Sequence, residues 1–70
     1  MPYYTNEDLP APIRLHLPAH AQDIYREAFN HAWRRYGAER EDVAHKIAWA
    51  AVKRQYEKLN DQWVPRDRDW

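Results

Sequence analysis

A chain of 70 residues is one domain at most, and one this short buries only about 60% of the surface its unfolded form exposes. Its eleven basic and eleven acidic side chains cancel, which removes the large positive excess that most simply signals nucleic-acid binding. With no cysteine it can form neither a disulfide nor a thiolate metal site, and no apolar run approaches the roughly 20 residues that span a bilayer.

The N-terminus has neither the basic nor the apolar stretch of a signal peptide, so a soluble, cytoplasmic protein without direct membrane insertion is expected. Thr5 with Asp8 three residues on resembles a capping arrangement. Pro10 and Pro12 limit any helix before them, and a short helix is expected from Pro10 to His16. Ile13 and Leu17 would share one face of it. Pro18 stops that helix and suits the first position of the next. Apolar residues Ile24, Tyr25, Ala28, Phe29, Ala32, Trp33 and Tyr36 then form a wide stripe of 3.6-residue period. Gly37, the single glycine, follows at once and suits the left-handed residue that ends a helix.

Glu39, Glu41 and Asp42 suit the start of a third helix, because acidic groups oppose its positive end. Its apolar residues run from Val43 through Ile47, Trp49 and Val52 to Tyr56 and Leu59, with an end at Asn60-Asp61. A connection of about four residues implies an antiparallel helical hairpin. Small residues at 28, 32, 44, 48 and 51 would let the axes approach closely. Trp63-Val64 reads as a short strand and is expected to pair with Tyr3-Tyr4 in a small ribbon. The fold class expected is mainly α: a short helix, a two-helix antiparallel hairpin, and a two-stranded ribbon joining the N- and C-terminal segments. Residues 1–65 would form the single domain and 66–70 a frayed tail.

The chemistry offered is thin. His16 and His20 are separated by Pro18, and His31 and His45 fall on different helices, so no metal-ligand spacing exists. His45 is expected half-buried near Trp49, the other histidines at the surface or at helix starts. There is no serine, and the one threonine looks like a cap, so a hydroxyl or thiol triad is not expected. No cofactor, metal or catalytic residue is assigned, and the chain does not read as an enzyme.

Charge is unevenly placed. Arg34, Arg35, Arg40, Lys46, Lys53, Arg54 and Lys58 face only Glu39, Glu41, Asp42 and Glu57 over the same stretch, a local excess of three positive charges. A solvated face explains such an excess most simply; a phosphate or acidic-partner surface is the sharper reading. Trp33, Trp49 and Trp63 have a place in a core. Trp70, among Arg and Asp, is either loose or an interaction handle.

The pattern LP-x6-LPAHAQDIY-x2-AFN-x-AW-x2-Y, then AHKIAWAAVK-x2-Y, then Trp63, resembles the ChaB family of cation transport regulators, and the resemblance covers Pro2 to Trp63. It implies a small bacterial cytoplasmic protein, mostly helical with a small sheet. It also implies a regulatory tie to a sodium/calcium–proton antiporter; in viral and other relatives nucleic-acid binding has been proposed. Gly37 to Arg40 here replaces a longer, acidic loop of some members. No catalytic residues come with the family.

The leading expectation is therefore a non-enzymatic regulatory or adaptor module acting by protein contact, as a monomer, on a partner such as a membrane cation/proton antiporter. The alternative is a nucleic-acid-associated protein using the basic half of the hairpin. The contact surface expected is Arg34, Arg35, Arg40, Lys46, Lys53, Arg54, Glu57 and Trp70.

Overall fold

The computed structural model describes residues 2–66. The expected mainly helical fold is present: three helices, α1 (Ala11–His16), α2 (Ala19–Tyr36) and α3 (Glu41–Gln55), precede a two-stranded antiparallel ribbon. Short 3₁₀ turns at Asn6–Asp8 and Ala38–Arg40 lie before α1 and between α2 and α3.

The N-terminal turn is held as the sequence implied. The Asp8 carboxylate accepts the Thr5 N–H at 3.1 Å and the Tyr4 N–H at 3.2 Å. Pro10 caps α1 and Pro12 sits in its first turn. Pro18 stands one residue outside α2, as its cap, instead of at the first helical position. The elbow between α1 and α2 is fixed by Gln22, whose side-chain amide donates to the carbonyls of Leu17 at 2.8 Å and Arg14 at 3.2 Å. These are carbonyls that a helix C-terminus leaves unsatisfied.

Gly37 closes α2, donating its N–H to the Trp33 carbonyl at 2.7 Å. Its φ of 86° is positive, as expected, but its ψ of 173° places it outside the left-handed helical well, in a region that is essentially glycine's own. No atom lies within 4 Å of where a Cβ would stand. Gly37→Ala should therefore cost about 1–3 kcal/mol through backbone strain alone, without a clash. A urea melt checks this, and an unchanged midpoint would contradict it.

α2 and α3 pack as the antiparallel hairpin and supply most of the interior. Ala21, Tyr25, Phe29 and Ala32 from α2 meet Ala44, Ala48 and Val52 from α3. The small residues bring the axes together; Leu9, Ile13, Leu17 and Tyr56 close the ends. Tyr36, counted in the apolar stripe, is 46% exposed at the end of its helix.

Two expectations about the C-terminal third need correction. α3 ends at Gln55, not at Asn60. The ribbon is β1 (Tyr56–Leu59) with β2 (Gln62–Pro65), in register Glu57 opposite Val64 and Lys58 opposite Trp63. Trp63 and Val64 thus pair with their sequence neighbours and not with Tyr3 and Tyr4. The reason is local. Asn60 and Asp61 both take positive φ, 52° and 66°, the backbone of the tight hairpin turn that matches strand twist. Asn and Asp tolerate that region better than other non-glycine residues. Closing a two-residue loop costs far less chain entropy than joining the two termini.

The N-terminal segment finds another partner. The Tyr3 N–H donates to the Asn30 side-chain oxygen at 2.8 Å, and the Asn30 amide nitrogen donates to the Tyr3 carbonyl at 2.6 Å. One side chain on α2 thereby does what a neighbouring strand would do. Asn30→Ala should loosen this segment, lowering stability by about 1–2 kcal/mol and raising hydrogen exchange at Tyr3 first. Equal exchange at Tyr3 in both proteins would contradict the assignment.

Arg66, where a frayed tail was expected to begin, is held: its N–H donates to the Gln55 carbonyl at 2.8 Å and its Nε to the Lys53 carbonyl at 2.7 Å. Residues 67–70, including Trp70, lie outside the described residues.

Candidate interaction surface

A chain of polar contacts runs from the core to the surface and links α2 to α3. The Tyr25 hydroxyl, with Tyr25 fully buried, is 2.5 Å from His45 Nδ1. His45 Nε2 lies 3.5 Å from the Glu41 carboxylate. Burial pushes the Tyr25 phenol well above its ordinary value, and Tyr3 and Glu41 push it further. Tyr25 therefore keeps its proton, and its hydroxyl shares this hydrogen bond with His45 Nδ1. Burial and Glu41 also raise the Tyr3 phenol. A second tyrosine–histidine contact, Tyr56 hydroxyl to His20 Nδ1 at 3.1 Å, lies at the start of α2. The first fastens α2 to α3, and the second fastens α2 to the start of β1.

His45 is half-buried, as expected, but its ring neighbours are Phe29, at 4.7 Å between centroids, and Tyr25, at 6.1 Å. Trp49 instead meets Tyr25 edge-on at 5.2 Å and Trp63 at 5.7 Å. His16, His20 and His31 are exposed. Among the described residues no group of histidine and carboxylate side chains is gathered closely enough to hold a metal ion.

The residues singled out for their charge do not form one patch. Arg34, Arg35 and Arg40 are exposed at the closed end of the hairpin. Arg35 lies over the neighbouring Tyr36 ring, 5.9 Å from its centroid. Lys46, Lys53 and Arg54 are exposed along α3, and Glu57 is half-buried in β1 within 3.9 Å of Arg66. Helical spacing puts 46, 50, 53 and 54 on one outward face of α3.

A surface feature has no counterpart in the sequence pattern. An open cleft of about 330 Å³ lies between the elbow at residues 15–18 and the ribbon at residues 61–63, beside Leu15, which is 79% exposed. It depends on where the ribbon folds back, and that was misplaced. Nothing short of the correct turn at Asn60-Asp61 could have indicated it.

The described residues define a small helical-hairpin domain with an apolar core, tyrosine–histidine contacts at its edges and cations facing outward. The chain belongs to the ChaB family: the family model, described as ChaB, matches residues 9–66. It is 55% identical over 69 aligned positions to the "Putative cation transport regulator ChaB" of Escherichia coli K12, covering 87% of this chain and 91% of that protein. It is 34% identical over 62 positions to an "Uncharacterized protein in LEF8-FP intergenic region" of Lymantria dispar multicapsid nuclear polyhedrosis virus, covering 89% of this chain and 82% of the viral one. An NMR solution structure bearing the ChaB regulator name superposes with a TM-score of 0.82 at 49% identity, over 94% of this chain and all of that one. Among the described residues no helix is long and apolar enough to cross a membrane.

Proposed function

We propose that this protein is a non-enzymatic regulatory or adaptor module of cation transport, acting in the cytoplasm by contact with a membrane sodium/calcium–proton antiporter. The carrying observation is the 55% identity, over 87% of this chain, to a relative whose name is that of a cation transport regulator. Two features support contact over catalysis. The sequence has no serine or cysteine to act as a nucleophile, and its most buried hydroxyl, on Tyr25, is engaged with His45. The cations expected to meet a partner, on α3 and at the closed end, are exposed.

The chain is also shorter than that relative within the matched span. Its 87% share of 70 residues is about 61, so roughly eight of the 69 aligned positions have no residue here. The Gly37–Arg40 connection, only four residues between the two long helices, is where we infer the gap to lie.

The test is recovery of the tagged protein from its native cells with membranes solubilised, with and without nuclease. A cation/proton antiporter retained under both conditions is the expected result. Partners that vanish with nuclease would overturn the reading in favour of nucleic-acid association.

A further inference from the structure

We infer that the outward face of α3 is a docking surface for an acidic segment of a partner protein, centred on Ala50 between Lys46 and the pair Lys53 and Arg54. All four residues are exposed. This deepens the regulatory reading above, on which its cellular part rests.

The first support is charge. At Lys53 and Arg54 the helix dipole accounts for cations, because both lie in the last turn of α3. It does not account for Lys46, in the middle of the helix. With α-helical rise, Lys46 and Lys53 lie about 10 Å apart along the axis, with Ala50 between them. That spacing matches two carboxylates seven residues apart on one face of a helix.

The second support is shape. Ala50 presents only a methyl group between the longer cations, so its side chain leaves room for a partner backbone. Half-buried Trp49 precedes Ala50 on the helix, its ring 5.7 Å from that of Trp63. Apolar contact beside desolvated charge is what fixes register in protein contacts, while the cations steer encounter. A whole-chain net charge of zero favours a short acidic segment over a long polyanion such as nucleic acid.

The test uses the whole isotope-labelled chain, titrated with a deca-glutamate peptide and, separately, with a ten-nucleotide oligothymidylate. The peptide is expected to shift resonances over residues 46–54. Ala50→Glu, and the double change Lys46→Glu with Lys53→Glu, are expected to weaken it about tenfold or more while leaving the melting temperature in place. No shift, shifts centred on Arg34, Arg35 and Arg40, or oligonucleotide binding as tight on the same face would overturn the inference.

Recovery from solubilised membranes with wild type and Ala50→Glu separates this inference from the broader one. Partner kept by wild type and lost by Ala50→Glu supports both. Partner kept equally by both overturns the α3 face and leaves the regulatory reading standing. No partner with either protein overturns the regulatory reading, and the peptide titration then decides the face by itself.

Discussion

Phe29→Ala is expected to cost the fold about 3–5 kcal/mol, a large part of its stability. Phe29 is fully buried, and its ring meets rings from three separate parts of the chain. Tyr3 is at 4.8 Å and His45 at 4.7 Å between centroids; Tyr25 at 6.4 Å and Trp33 at 6.1 Å share its helix. Emptying such a site costs about 3–5 kcal/mol. A domain this small has a total of about 4–10 kcal/mol at the usual stability per residue. Phe29→Leu keeps most of the volume and should lose about 1–2 kcal/mol. Far-ultraviolet circular dichroism through a urea series reads both. A loss below about 1 kcal/mol for Phe29→Ala would mean that the aromatic cluster is not the centre of the core.

Raising the pH above 10 is expected to destabilise the fold steeply. The phenol of Tyr25 is raised above its ordinary value of 10.0 by burial first, then by Tyr3 and Glu41. Above pH 10 the unfolded chain therefore releases a proton that the folded chain keeps. The unfolded state binds fewer protons, so the stability is present in full below pH 10 and falls as pH rises, by about 1.4 kcal/mol per unit for this one group. Tyr3 acts in the same direction. Tyr25→Phe isolates the effect from lysine titration. It should cost about 1 kcal/mol near neutrality, through the lost bond to His45, and flatten the alkaline slope. Parallel slopes for wild type and Tyr25→Phe between pH 9.5 and 11 would contradict this account.

The helical hairpin was legible because its signals are local and redundant. The stripe from Ile24 to Tyr36 repeats at helical period, Gly37 punctuates it, and the burial of Tyr25, Phe29, Ala32, Ala44, Ala48 and Val52 follows that stripe. The ribbon was half legible. Trp63 and Val64 do form a strand, but Tyr56 to Leu59 also continues the apolar spacing of α3, and helix and strand periods cannot be told apart over four residues. Asn60-Asp61 was read as a helix end when it is a hairpin turn. The fastening of Tyr3 by Asn30 and the Tyr25–His45–Glu41 chain were not legible, because each joins residues at least 20 positions apart at one of its links. Of the candidate surface, exposure followed from polarity; its division between the closed end and α3 needed the helix ends to be in place.

Cation/proton exchange in inverted membrane vesicles, measured as sodium- or calcium-driven dissipation of a proton gradient with and without added purified protein, tests the regulatory role most directly. Vesicles from cells lacking this protein should change their exchange rate in a saturable way as it is added, and the charge-reversed α3 variant should leave the rate where it was. A rate indifferent to saturating amounts of the folded wild-type protein would contradict the proposal that it regulates cation transport by contact.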